Sequence, residues 1–320
     1  MGRSIRTSRA GATAAGPQEP AAATGIDPDR TRAARRKRAE VLAAAWTDRG
    51  GLDTGAVGLC VASVPIALGI AEARFAERVR SAFGRFRGPV ARDALAVDID
   101  LDAESALWRD PSAEPRVEAR GGLLLIEHRD FAGVLSPDAD RMALRQPRRT
   151  LSTENALRVL LALALIRRGG LLLHAAGVVR SGRATVLFGR SGSGKSTVAR
   201  LARGRPVLGD DLVALARTDD GWAAHATPFG GGAARRRASR SARLGSLLRL
   251  RHGSSFELRP LTPAAAVAEL LQSTVLPAAW PDDRVKALER CAELAAALGV
   301  RELCFPVDHG LWRFLSERGV

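Results

Sequence analysis

Lysine is almost absent from this chain of 320 residues, in which it appears only as Lys37, Lys195 and Lys286 among 49 basic side chains. Basic character rests on arginine, so each lysine marks a place where a compact, rotatable ammonium is kept in preference to a planar fork. Cysteine is scarce as well. Cys60, Cys291 and Cys304 are odd in number, isolated and without CxxC spacing. That excludes a disulfide framework and a cysteine zinc site, and predicts buried thiols in a reducing compartment. Long apolar runs are missing too. The best candidate, 156–179, is broken by Arg158, Arg167 and Arg168, which excludes a spanning helix and a membrane partner. The N-terminus has no apolar core of the leader type, so the expected setting is cytoplasmic.

The length allows two domains, or one domain with a tail. The net charge of +15 invites a nucleic-acid reading, but the excess is uneven. Residues 1–45 carry a net of +5 and residues 233–251 a net of +7, leaving a nearly neutral remainder. The arginines from Arg235 to Arg251 have no aromatic residue among them on which bases could stack. A nucleic-acid partner is therefore not expected. Residues 1–45 lack hydrophobic periodicity and read as a disordered basic tail with a solvated run from Arg35 to Arg38. A helix over 31–45 is the one element they offer.

Residues 46–150 read as a small α+β or β-rich module. Val57 to Leu68 is apolar, Phe75 to Phe86 has helical spacing, and Val97, Ile99 and Leu101 alternate as in a half-buried strand. Gly121 to Ile126 is a further strand candidate, and His128 reads as a surface strand residue. Residues 151–320 read as an α/β domain. A helix over 152–168 is capped by Ser152 or Thr153, buries Leu157, Leu160, Leu161, Ala164 and Leu165, and stops at Gly169-Gly170. A buried strand over 171–179 carries His174. Strands are expected over 206–215 and 222–229. Helices are expected from Thr262-Pro263 to about Thr274, over 281–298 and over 310–317, with a short strand over 303–307 between the last two.

One stretch carries chemistry. Gly189-Arg-Ser-Gly-Ser-Gly-Lys-Ser196 fits the phosphate-binding pattern G-x-x-x-x-G-K-[ST], with a buried strand before it and a helix after it. Gly189, Gly192 and Gly194 let the backbone turn its N–H groups toward phosphate oxygens. Arg190, Ser191, Ser193 and Thr197 complete the expected nucleotide contacts. Lys195 would reach the terminal phosphates, and Ser196 would ligate Mg²⁺. On the next strand stand Asp210 and Asp211. One carboxylate can hold the metal and the other can accept a proton from an attacking hydroxyl.

The order His174-Ala-Ala-Gly-Val178, Phe188 to Ser196, and Val207-Leu-Gly-Asp-Asp211 resembles the C-terminal domain of HPr kinase/phosphorylase and its kinase-like relatives. Thr227-Pro-Phe-Gly-Gly231 is similar to a segment common in that branch. The resemblance covers about 151–320. It implies a P-loop core akin to phosphoenolpyruvate carboxykinase, ATP with Mg²⁺ as donor, and a serine or threonine hydroxyl of a protein or peptide as acceptor. It implies Asp211 as base, Asp210 as metal contact and His174 beside the transferred phosphate, and it leaves room for a homo-oligomer. The family's glutamate-bearing glycine-rich signature has no counterpart in the stretch from Gly230 to Arg251, which counts against HPr itself as acceptor. A nucleotide-binding regulator or ATPase with water as acceptor is the alternative.

Overall fold

The computed structural model describes residues 28–46, 56–103, 116–202, 204–230, 240–276 and 281–320. Its architecture is mixed α/β with two sheets. The first contains β1 (Val57–Val61), β2 (Val64–Ile70), β3 (Leu95–Leu101), β4 (Arg116–Arg120), β5 (Leu123–Glu127), β6 (Ala132–Leu135) and β7 (Arg141–Gln146). Their order across the sheet is β1-β2-β3-β7-β6-β5-β4. The apolar run from Val57 to Leu68 folds back on itself. Ala62 and Ser63 both take positive φ, 52° and 63°, and Val61 pairs with Val64 across that tight hairpin.

Helix α1 (Pro28–Ala44) lies over β5 and β6. It is the helix expected over 31–45, and it corrects the expectation of a disordered tail over its length; residues 1–27 lie outside the described residues. Its buried side chains are Thr31, Arg35 and Ala39. They fall at i, i+4 and i+8, one stripe of a helix. Two of the three are polar, so a hydrophobic scan passes over them. The expected solvated run is corrected with it: Arg35 is buried, and Arg38 pairs with Asp102. His128 is corrected too. It stacks on Phe131 at 5.0 Å, and its Nδ1 accepts the Asp130 backbone N–H at 3.1 Å. Burial pushes its imidazole down to about 4. Helix α2 (Ala73–Ala82) packs Phe75, Ala76 and Val79 inward.

Helix α3 (Thr150–Arg167) connects the sheets. It begins before the expected caps. Arg149 occupies the N-cap, while Ser152 and Thr153 are buried within the helix. The Thr153 hydroxyl accepts a hydrogen bond from Gln146 at 2.9 Å instead. Residues 160–166 are all buried, as expected of a helix covered on every side. One apolar cluster contains Leu68, Val97 and Leu144 of the first sheet, Leu157, Leu160 and Leu161 of α3, and Leu172 and Leu212 of the second sheet. The two sheets thus share a core through this helix.

The second sheet is built from β8 (Leu171–Arg180), β9 (Arg183–Phe188), β10 (Val207–Gly209), β11 (Leu212–Thr218), β12 (Gly221–His225), β13 (Ser241–His252), β14 (Glu257–Pro260) and β15 (Val300–Phe305). The pairings β8–β9, β9–β13, β13–β12, β12–β11 and β11–β8 close a ring. Helix α4 (Lys195–Leu201) follows β9. Helices α5 (Pro263–Ser273), α6 (Pro281–Leu298) and α7 (Leu311–Glu317) complete the fold. Thr262 caps α5 by accepting the Ala265 N–H. Strand β13 was not legible as a strand. Its Leu244, Leu247, Leu248 and Leu250 are buried, while Arg249 turns to Glu302 and Glu269 at 2.7 and 3.1 Å. Residues 231–239 lie outside the described residues. Cys291 and Cys304 are buried as expected, but Cys60 is exposed. Among the described residues no helix is long and apolar enough to cross a membrane.

Candidate phosphate-loop site

Register brings three distant segments to one level of β8. Ala175 stands opposite Phe188, the last residue of β9, and its N–H donates to the Asp211 carbonyl at 3.0 Å. His174 stands opposite Leu212. The loop after β9, the acidic pair before β11 and His174 therefore meet. A cavity of about 650 Å³ opens there. It is lined by His174, Asp210 and Asp211, by Gly189, Arg190, Ser191, Gly192, Gly194, Lys195, Ser196 and Thr197, and by Gln272 and Ser273. Of the predicted site residues only Ser193 is left out. Its hydroxyl is buried with no hydrogen-bond partner, turned toward Gly189, and its N–H donates to the Arg190 carbonyl at 3.1 Å. Ser193 shapes the loop and does not face the cavity.

The loop's glycines do steric work. Gly192 and Gly194 take φ of 80° and 99°, a region most side chains avoid. At Gly194 a Cβ would also meet the Phe305 ring at 2.7 Å and His252 at 3.2 Å. His252 fixes the loop from behind, with its Nε2 2.9 Å from the Gly192 carbonyl oxygen. Lys195 folds inward, and its ammonium donates to the Gly189 and Arg190 carbonyls at 2.8 and 2.9 Å. Burial lowers its pKa, and Asp211 works in the opposite direction.

Asp210 is 8% exposed, whereas the Asp211 side chain is 38% exposed. Neighbouring carboxylates thus stand in unlike surroundings. Gly230 packs on both, at φ 122°; a Cβ there would lie 3.0 Å from Asp210 Oδ1 and from Asp211 Cβ. The Asp211 carboxyl lies below the usual carboxylate range, chiefly because His174 faces it, with Arg158 and Lys195 adding positive charge against partial burial. The separation from His174 Nδ1 is 3.7 Å, beyond hydrogen-bond length. Among the described residues no group of three or more His, Cys, Asp or Glu could hold a metal by itself. Mg²⁺ has no need of one, since it commonly takes one or two protein oxygens and completes its shell with water and phosphate. Ser196 and Asp210 on the cavity wall meet that requirement.

Sequence reasoning missed Gln272, Ser273, His252 and Arg158. Gln272 and Ser273 reach the cavity because Val275 donates to the Leu172 carbonyl at 2.8 Å, tying the end of α5 to β8. Gln272 then accepts from Arg190 at 3.2 Å. No local pattern signals these contacts, which link residues far apart in the chain.

Fold and site define a mixed α/β protein with a P-loop-type strand, loop and helix facing an acidic pair. Residues 145–299 match the family model described as SynChlorMet cassette protein ScmC. That span runs from β7 to α6 and holds every residue of the site except His252's neighbour Phe305. Among solved structures, the Hpr(Ser) kinase/phosphatase from Coxiella burnetii is 12% identical, with a TM-score of 0.26; the match covers 45% of this chain and 90% of that one. No curated protein matches the chain.

Proposed function

We propose that the chain is an ATP-dependent kinase that transfers the γ-phosphoryl group of Mg-ATP to a serine or threonine hydroxyl of a protein or peptide. The observation that carries this reading is the convergence of Lys195, His174, Asp210 and Asp211 on one cavity. The loop from Gly189 to Thr197 would receive the phosphates, and Lys195 would exchange its two carbonyl partners for phosphate oxygens. Mg²⁺, held by Ser196 and Asp210, would neutralise phosphate charge. Asp211 is ionised at neutral pH and takes the proton of the attacking hydroxyl as that oxygen bonds to phosphorus and the bond to ADP breaks. Water is the second acceptor to consider, because His174 and Asp211 are 49% and 38% exposed and solvent reaches them.

Calorimetry with Mg-ATP and phosphate transfer from γ-³²P-ATP test the reading. Lys195→Ala should remove a charge-assisted contact worth about 1.5–3 kcal/mol in binding. Equal affinity of variant and parent would sink the nucleotide site. Asp211→Asn should bind ATP but transfer about 10²–10⁴-fold more slowly. Label in protein supports the kinase, and label only in free phosphate supports the ATPase.

A further inference from the structure

We infer that Arg158, seated by Glu154 and Phe229, is the positioning residue for the Asp211 carboxylate. This rests on the phosphotransfer reading and adds a residue from α3 to it. Arg158 is not part of the cavity wall. It stands behind the acid, with its Nη2 3.6 Å from Asp211 Oδ2. The same nitrogen donates to Glu154 Oε1 at 2.8 Å, one helical turn back. The guanidinium carbon lies 5.5 Å from the centroid of the Phe229 ring, which is buried. A carboxylate below and an aromatic face beside it restrict a long side chain that would otherwise sample many rotamers.

The support is rigid at its root. Leu157, Leu160 and Leu161 hold α3 in the core shared by both sheets. Phe229 belongs to the segment from Thr227 to Gly230, whose other members also serve the acids. The Thr227 hydroxyl donates to the Leu212 carbonyl at 2.8 Å, and Gly230 packs on both carboxylates. A base must be aimed as well as ionised, because displacement by about 1 Å can lower a rate on the order of 10²-fold. His174 and Lys195 approach Asp211 from β8 and α4. Arg158 approaches it from α3, and of the three it alone stands outside the cavity wall.

The test is single-turnover release of γ-phosphate from Mg-ATP, with ATP affinity measured in parallel. Arg158→Gln should slow release by on the order of 10- to 100-fold while affinity stays unchanged. Arg158→Lys, which keeps the charge and loses the fork, should recover part of that loss. In an Asp211→Asn background, Arg158→Gln should add less than about twofold, because a residue acting through Asp211 has nothing left to position. Additive losses, or weaker ATP binding with an unchanged rate, would overturn the inference. If Arg158→Gln does not fold, the cycle is run with Arg158→Lys, and a wild-type rate for that variant overturns it. Lys195→Ala separates the two levels. Loss of γ-phosphate from Mg-ATP, to water or to protein, that in the parent does not exceed that in Lys195→Ala removes the phosphotransfer reading, and this inference with it. Lys195-dependent release with additive losses removes Arg158 alone.

Discussion

On the first sheet Arg145 meets Asp100 directly across the parallel β3–β7 pair at 2.9 Å, and Arg141 meets Asp98 on the diagonal at 3.3 Å. Arg148 likewise meets Glu72 at 2.7 Å. Each is a local pair at the surface, worth about 0–1 kcal/mol. On the second sheet Asp211 has Arg158, Lys195 and the His174 imidazole around it, and Lys195 rests on carbonyl oxygens, not on a carboxylate. The pairs on the first sheet join one arginine to one carboxylate at the surface, whereas the cavity wall gathers Arg190, Lys195, Asp210 and Asp211, two charges of each sign, around one space. The abundance of arginine says little about partners; the gathering of both signs at one cavity says more.

The sharpest challenge to this contrast is to test whether the regions are separable at all. Leu160 is fully buried in the core they share. Leu160→Ala should cost about 2–5 kcal/mol, and urea unfolding should remain one transition. Two separated transitions, with Trp46 reporting the first region and Trp222 the second, would show that the core is not common. Next comes a charge pair that differs from those on the first sheet. Arg167 grips Asp283 through two bonds, at 3.0 and 2.9 Å, and the Asp283 side chain is 2% exposed. Arg167→Met should cost about 3 kcal/mol, the low end for a stranded buried charge, because Asp283 sits in the first turn of α6. A loss within the range of surface pairs would erase the distinction.

A smaller, pH-dependent effect should appear at His128. Its imidazole is held near 4 against an ordinary 6.5, so between those values the unfolded chain binds the proton and the native one does not. Stability is full above pH 6.5 and falls as pH drops toward 4, by up to about 1.4 kcal/mol per unit. Urea midpoints at pH 7.5 and 5 should differ less in His128→Gln than in the parent; an unchanged difference would acquit His128. The smallest effect is Thr262→Ala, which removes the cap of α5 and should lower stability by about 1 kcal/mol. Thermal melting decides that one, and no change would mean that the Ala265 N–H finds water as good a partner.

What could be read from the sequence follows the reach of each signal. The loop from Gly189 to Ser196 was legible because its spacing is local, and so was α5, whose Thr262-Pro263 start is written in adjacent residues. Asp210 and Asp211 were legible as a polar break in an apolar strand. Helix α1 was legible as a helix over 31–45 but not as a packed one, because its inner stripe of Thr31, Arg35 and Ala39 is short of hydrophobic residues. Strand β13 was hidden by arginines on its outward positions. Ser152 and Thr153 misled as caps because α3 already begins at Thr150 and turns both inward, where the Thr153 hydroxyl meets Gln146 and the Ser152 hydroxyl is buried without a hydrogen bond. Arg158, Gln272 and His252 depend on tertiary register, which no window of sequence contains.

The acidic pair sits between β10 and β11; past an irregularity between Val207 and Gly209, one register on β8 runs from Gly209, opposite Gly177, to Leu212, opposite His174. The two aspartates therefore occupy two fixed rungs of a ladder. Side chains alternate faces along a strand, so one added residue between Gly209 and Leu212 would have to be looped out or would turn an aspartate away from the cavity. Substitutions at this corner change its chemistry by degrees, whereas a change of length abolishes the arrangement in one step. An insertion or deletion between Gly209 and Leu212 should accordingly displace the acidic pair as a unit, where a substitution alters one member of it.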